Sequence, residues 1–182
     1  MTHDTTSHAR VRSLDHIAVA VRDVATALPL FQDVLGGRFV MGGDDPVYGI
    51  RTVQLVLPPG TKIELMAPLR GDTQLTRFLE EHGEGFHHAT LLVDDVVATI
   101  ADLQARGFEV VDTETTNPKW RVTYLRPSSG FGTLLQIAES TERWDEPIEG
   151  VTLEAVLAGE VVWYDERPLL RTQLPEGVIL DI

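Results

Sequence analysis

Two stretches of the chain repeat the same order of apolar and polar positions. The segments LDHIAVAVRDVATAL (14–28) and FHHATLLVDDVVATI (86–100) align without gaps, and His16 stands opposite His88 at an offset of 72 residues. In both segments apolar residues first alternate with other residues, which is typical of a strand. They then recur at helical spacing behind an aspartate. The shared pattern predicts a strand followed by a helix in each segment.

The same offset recurs farther along the chain. GTKIELMA (60–67) lies over GTLLQIAE (132–139), again 72 residues apart. This alignment places Glu64 opposite Gln136, and each lies between apolar neighbours in a predicted strand. Two ungapped blocks in one register indicate an internal repeat.

Each repeat predicts one strand, one helix and further strands. The first helix begins at Asp23 or Thr26, and a start at Thr26 places Pro29 in the first turn, where proline is tolerated. In the second repeat Asp95 caps the helix, and a glycine ends each helix. The remaining predicted elements are strands at 50–57, 62–66, 121–126 and 133–138, a helix over 72–82 between the repeats, and one or two strands within 153–162.

The predicted fold class is α+β, with two βαβββ modules and a C-terminal extension. A chain of 182 residues suffices for one buried domain or for two small modules that share a core. We expect the extension to add strands at a sheet edge that would otherwise stay unpaired. The predicted segments are a disordered N-terminal tail at 1–11 that contains His3 and His8, a first module at 12–70, a linking helix at 71–83, a second module at 84–140, and an extension at 141–182 with no assigned role.

The composition narrows the functional classes. The chain has 15 Lys and Arg against 28 Asp and Glu, a net charge of −13, which argues against nucleic-acid binding because a phosphate backbone would be repelled. The absence of cysteine excludes disulfides and cysteine-ligated zinc. The N-terminal segment lacks the apolar core of a signal peptide, and no apolar run reaches membrane-spanning length. We therefore expect a cytoplasmic protein that binds a small molecule.

Four polar residues occupy equivalent points of four predicted strands: His16, Glu64, His88 and Gln136. A carboxylate in an apolar strand is costly to bury unless it is paired or binds a cation. If the two modules pack about a pseudo-twofold axis, the four side chains converge. Two imidazoles, a carboxylate and an amide oxygen form a mixed donor set that suits one divalent ion of Co, Ni, Mn, Fe or Zn. We predict a metal site at these four residues.

Each of these residues has an ordinary interpretation when it is taken alone. A single strand histidine is more often a hydrogen-bonded core residue than a ligand, and Glu64 alone would suit an edge strand that faces water. The joint occurrence at one offset favours the metal site. His87 is the competing ligand in the His-His pair, but the register with His16 selects His88 and strand alternation turns His87 to the other face.

Four segments carry a resemblance to a known family: LDHIAVAV, KIELMAPL, FLEEHGEGFHHATLLVDD and GTLLQIAE. Together they resemble the glyoxalase, bleomycin-resistance and extradiol-dioxygenase superfamily, also called the vicinal oxygen chelate superfamily, and within it the methylmalonyl-CoA epimerases. The resemblance covers residues 12–140. It implies paired βαβββ modules that form a cupped mixed sheet around one metal, bidentate chelation of substrate oxygens and stabilisation of an enolate. It also implies a homodimer.

Carried over residue by residue, the resemblance assigns metal ligation to the same four positions, with two departures. The epimerases usually hold glutamine where this chain has Glu64 and glutamate where it has Gln136, so the acid and the amide are exchanged. Their carboxylate base falls near Thr52, where the stretch YGIRTVQLVL contains no acid.

The residues and the resemblance together predict a metal-dependent epimerase or isomerase that removes a proton next to a carbonyl and forms a metal-stabilised enolate. Glu64 is the candidate catalytic base, since Gln136 cannot accept a proton. The expected substrate is methylmalonyl-CoA or a related metabolite. The candidate substrate-binding residues, each with an equally ordinary structural role, are Tyr48, Lys119, Trp120, Arg121 and Arg126.

Two other functions fit the same residues. The first is a glyoxalase-type lyase or an Fe(II) ring-cleaving dioxygenase, because two histidines and one carboxylate form the ligand triad of Fe(II) oxygenases. The second is a resistance protein that binds a drug without turnover. Exchange of solvent deuterium into the substrate, oxygen consumption with Fe(II), and ligand binding without turnover discriminate among the three.

Overall fold

The computed structural model of the chain describes residues 10–142, 145–178 and 180. The described chain divides into two compact units. Unit 1 contains residues 10–15 and 88–142, and unit 2 contains residues 16–87, 145–178 and 180. Residues 1–9 of the predicted tail, with His3 and His8, lie outside the described residues. None of the described helices has the length and apolar character needed to cross a membrane.

The first repeat forms a βαβββ module. Strands β2, β3 and β4 are antiparallel neighbours, and residues 17–20 of β1 run parallel to β4. A further helix, α2, begins after its N-cap Thr73 and lies within the segment predicted to link the repeats. The bounds are β1 (Val11–Ala20), α1 (Val24–Leu28) with π-helical turns over Pro29–Val34, β2 (Arg38–Asp45), β3 (Ile50–Leu57), β4 (Thr61–Pro68) and α2 (Gln74–His82).

The second repeat forms the same kind of module, with β5 (Gly85–Val93), α3 (Val96–Ala105), β6 (Val110–Glu114), β7 (Arg121–Leu125) and β8 (Leu135–Glu139). β5 runs parallel to β8, and β7 is antiparallel to both β8 and β6. Ala18 pairs with Glu64 in the first module and Thr90 pairs with Gln136 in the second. The two pairs are related by the 72-residue offset, so the strand register confirms the repeat. The predicted α+β class with two βαβββ modules is confirmed.

The first helix begins earlier than a start at Thr26 would allow. Asp23 is its N-cap, and the carboxylate accepts the backbone N–H groups of Ala25 and Thr26. Pro29 therefore lies beyond the first turn, and the π-helical turns begin at this residue. Proline has no N–H to donate, and its ring clashes with the carbonyl four residues earlier in an α-helix, so the local helix geometry changes there.

The C-terminal extension folds onto the edge of the first module, as expected. Its elements are α4 (Leu153–Leu157), β9 (Val161–Tyr164), β10 (Arg167–Leu170) and a 3-10 turn over Arg171–Gln173. The prediction of strands across 153–162 is wrong in its first half, because Thr152 caps a helix there by accepting the N–H of Ala155. β9 runs parallel to β2 and pairs Val162 with Asp44, and β10 is antiparallel to β9. The strand order in unit 2 is β10-β9-β2-β3-β4-β1.

Apolar clusters lie on both faces of the unit 2 sheet. Alternation along β4 sends Ile63 and Leu65 to one face, where α1 and α4 cover them. Met66 lies on the other face, in a smaller cluster with residues of α2. This smaller cluster consists of Ala18, Ala20, Met66, Leu75 and Leu79, and in unit 1 a separate core beside α3 consists of Val93, Val96, Leu125 and Ile137.

A buried ion pair fastens the extension to β2 and β3. The Asp44 carboxylate accepts two hydrogen bonds from the Arg51 guanidinium, at 2.6 and 3.0 Å, and the same guanidinium donates to the carbonyl of Leu157 at 2.8 Å. Arg171 lies 3.6 Å from Asp44 and donates to the carbonyl of Gly159 at 2.8 Å. The side chain of Asp44 is only 4% exposed, so these contacts compensate for the water that its charge has lost.

We expect Asp44→Ala to lower the free energy of unfolding by about 3–5 kcal/mol, because the Arg51 charge would lose its buried partner. Equilibrium unfolding in urea measures this change. The matched control is Asp72→Ala, since Asp72 pairs with Arg70 but its side chain is 81% exposed. That substitution should change stability by less than about 1 kcal/mol. Equal losses in the two variants would contradict the role given to Asp44.

Candidate metal and proton-transfer site

The first part of the candidate site lies on the α2 face of the unit 2 sheet. Glu64 is directly opposite Ala18 in the register of β4 and β1, and His16 precedes Ala18 by two residues, so both polar side chains share one face. Nε2 of His16 lies 3.4 Å from Oε2 of Glu64. His16 is 4% exposed and Glu64 is 8% exposed. The structure thus brings two of the predicted ligands together inside unit 2.

Gln54 is a site residue that the sequence analysis missed. It lies directly opposite Glu64 in the β3–β4 register, and its Nε2 donates a hydrogen bond to Oε1 of Glu64 at 2.9 Å. Among the residues that the structure describes, none donates a hydrogen bond to the buried Oε1 of Gln54. The signal was present in the sequence, since Gln54 interrupts the apolar stretch VQLVL as Glu64 interrupts its own strand.

Two further charged residues belong to the same face. Lys62 is buried and precedes Glu64 by two residues in β4. Asp45 ends β2 opposite Ile50, and its carboxylate accepts the backbone N–H groups of Val47 and Tyr48. Burial raises the pKa of Asp45 above its ordinary value of 3.8, and the negative charge of Glu64 raises it further, while the two N–H groups lower it. A carboxyl group with a raised pKa is suited to general acid–base chemistry near neutral pH.

His87 has a different environment from the one expected of a ligand. Its ring makes an edge contact with Phe78 of α2 at a centroid distance of 4.7 Å. Burial lowers the pKa of His87, and the charge of Glu64 opposes this by raising it. The aromatic contact gives this histidine a packing role.

The second part of the candidate site lies in unit 1. His88 and Gln136 are both buried. The amide oxygen of Gln136 accepts a hydrogen bond from the hydroxyl of Thr90 at 2.5 Å, and its nitrogen donates to the hydroxyl of Tyr124 at 2.6 Å. Thr90 and Tyr124 are its partners in the registers with β5 and β7, so neighbouring strands fix the orientation of the amide. The convergence of all four predicted ligands on one ion stays a prediction.

The five candidate substrate-binding residues lie in different environments. Arg121 forms an ion pair with Glu139 at 3.1 Å. The carbonyl of Lys119 accepts a hydrogen bond from Ser140, and Trp120 is half-buried. Tyr48 is 56% exposed, and its backbone rather than its ring contacts Asp45. Arg126 is exposed just after β7. Their role in binding substrate stays a prediction.

Comparison with known proteins identifies relatives of the chain. A mouse (Mus musculus) mitochondrial methylmalonyl-CoA epimerase is 31% identical over 133 residues, which cover 70% of this chain and 72% of the relative. An ethylmalonyl-CoA/methylmalonyl-CoA epimerase of Cereibacter sphaeroides is 30% identical over 132 residues, which cover 69% of this chain and 96% of the relative. The crystal structure of methylmalonyl-CoA epimerase from Mycobacterium tuberculosis superposes with a TM-score of 0.66 at 27% identity, covering 78% of this chain and 94% of that one.

The family comparison agrees with these relatives. Residues 15–124, more than half of the chain, match the Glyoxalase/Bleomycin resistance protein/Dioxygenase superfamily. The match includes His16, Glu64 and His88 and most of both βαβββ modules. The chain therefore belongs to this superfamily.

Proposed function

We propose that the protein is a metal-dependent epimerase that inverts the carbon next to the carbonyl of an α-substituted acyl-CoA thioester, methylmalonyl-CoA or a close analogue. The names of the relatives support the substrate class. The observation that carries the proposal is the buried row of Gln54, Glu64 and His16 across three adjacent strands. A homodimer, implied by the resemblance, stays a prediction.

The donor groups in unit 2 fit a divalent cation. Nε2 of His16 and Oε2 of Glu64 are close enough to bind one ion, since zinc lies about 2.0–2.2 Å from such ligands. The oxygen of Gln54 is a buried acceptor that receives no hydrogen bond from the described residues, and it adjoins the same carboxylate. We assign the ligands as His16, Glu64, His88 and Gln136, and the ion as one of Co, Ni, Mn, Fe or Zn.

The continuity of the chain supports the inclusion of His88. The charge of Glu64 acts on the pKa of His87, so residue 87 lies within electrostatic reach of Glu64. His88 is the next residue, one Cα step of about 3.8 Å away. Alternation along β5 directs the two imidazoles to opposite faces. Since His87 packs against Phe78, His88 is the histidine directed toward the other face.

Proton transfer in this site requires two groups, because inversion removes a proton from one face of the α-carbon and returns one to the other. Glu64 is the first, as a buried carboxylate held by the amide of Gln54. We propose Asp45 as the second, because its raised pKa allows it to hold or release a proton closer to neutral pH. A bound divalent cation would supply Lewis-acid polarisation of the thioester carbonyl.

Purified protein with divalent metal should exchange the α-hydrogen of methylmalonyl-CoA for solvent deuterium, measured by mass spectrometry. Glu64→Gln should slow this exchange by about 100-fold or more, because it removes a proton acceptor. The matched control is Glu80→Gln on the exposed face of α2, which should exchange at the wild-type rate. Oxygen consumption with Fe(II) in place of exchange would contradict the proposed function.

Protein purified without chelators should contain about one divalent ion per chain by plasma mass spectrometry. His88→Ala should lose most of this metal, because it removes a ligand. His87→Ala is the control at the adjacent position and should keep the metal, since that ring packs against Phe78. Equal metal contents in the two variants, or none in the wild type, would contradict the ligand assignment.

The pH dependence of exchange tests the role of Asp45. A catalytic base acts in its deprotonated form, so kcat/KM should fall as the pH drops through the raised pKa of Asp45, at a pH above its ordinary value of 3.8. Asp45→Asn should lower kcat/KM by about 100-fold or more and should lack this acid limb. An unchanged acid limb in Asp45→Asn would assign the titration to another group.

A further inference from the structure

The C-terminal extension, here residues 145–178, is an addition to the fold shared with the relatives. The Cereibacter sphaeroides epimerase is matched over 96% of its own length, yet the match covers only 69% of this chain. The family match ends at residue 124. A segment absent from these epimerases but folded onto the module that carries Glu64 is a candidate for a property in which this protein differs from them.

The extension is held in one position on the edge of unit 2. Val161 is fully buried in β9, and it packs where Gly43 of β2 has no side chain. A Cβ atom at Gly43 would lie 3.2 Å from Cγ1 of Val161, which is tighter than an ordinary van der Waals contact. The ion pair of Asp44 and Arg51 fastens α4 on the other face of β2. A rigid attachment of this kind can position a side chain for recognition.

Trp163 is the residue of the extension that reaches the site face. Its indole Nε1 donates a hydrogen bond to Oγ1 of Thr52 at 2.9 Å. Thr52 is buried and precedes Gln54 by two residues in β3, so both side chains lie on the face of Glu64. The row across this face therefore continues from His16, Glu64 and Gln54 to the half-buried ring of Trp163.

We propose that Trp163 forms one wall of the pocket for the α-substituent of the acyl-CoA thioester and limits the size of that substituent. This inference rests on the proposed function. An indole anchored through its N–H presents a large, rigid apolar surface at low cost in conformational entropy. Hydrophobic pockets discriminate between substrates that differ by one methylene by about 10- to 200-fold. The extension thus gives this chain a substrate-size filter that the shared modules do not supply.

The test is deuterium exchange into malonyl-CoA thioesters that carry an α-methyl, α-ethyl or α-propyl group. Trp163→Ala should raise kcat/KM for the α-propyl substrate relative to the α-methyl substrate by about tenfold or more. Trp163→Phe keeps an aromatic ring without the N–H and should keep the wild-type order of substrates. Tyr164→Ala, at the next position of β9 with the opposite orientation, should also keep that order.

The outcomes separate this inference from the proposed function. If the wild type exchanges these substrates and Trp163→Ala leaves their order unchanged, the size filter is overturned and the epimerase proposal stands. If the wild type exchanges none, the epimerase proposal fails and the filter fails with it.

A fluorescence measurement covers the case in which Trp163→Ala does not fold. In a Trp120→Phe, Trp144→Phe background, Trp163 is the sole emitter, since the chain has three tryptophans. Saturation with propionyl-CoA, established by calorimetry, should change its emission. Unchanged emission at saturation would overturn the location of the wall.

Discussion

The burial of the Glu64 carboxylate is the constraint on which the site depends. A charged group inside an apolar strand is stable only with partners that replace its water. β4 lies between β3 and β1, so Glu64 receives the amide of Gln54 from one side and the imidazole of His16 from the other. A register slip of one residue would turn Glu64 toward the cluster that contains Val53 and Leu55. The chemistry of the site and the pairing of the strands therefore depend on each other.

β3 serves two purposes through its alternation. Arg51 projects to one face, where it binds Asp44 and the end of α4, while Val53 and Leu55 on that face form core. Thr52 and Gln54 project to the other face, where they meet Trp163 and Glu64. The contacts that attach the C-terminal extension and the contacts that shape the site are thus interleaved residue by residue along one strand.

The interpretation of the sequence succeeded where the signal was periodic and repeated. The constant offset predicted equivalent strands, and the matching pairs Ala18–Glu64 and Thr90–Gln136 confirm it. It failed where the deciding interaction was local or came from a distant segment. Thr152 caps a helix where alternation suggested a strand, because one side-chain hydrogen bond at the N-terminus outweighed the pattern of a short segment. Asp45 was overlooked because its distinctive property, a raised pKa, comes from burial that the sequence does not display.

The sequence by itself determined the two modules, their α+β class and the candidate positions His16, Glu64, His88 and Gln136, because hydrophobic periodicity and the repeat offset are written in the order of residues. Only the tertiary structure decided which groups touch. It placed Gln54 against Glu64, Arg51 against Asp44 and Trp163 against Thr52, pairs separated by 10, 7 and 111 residues. Such contacts follow from strand register and from the docking of a distant segment on a sheet edge, and neither is encoded in the local pattern of any one segment.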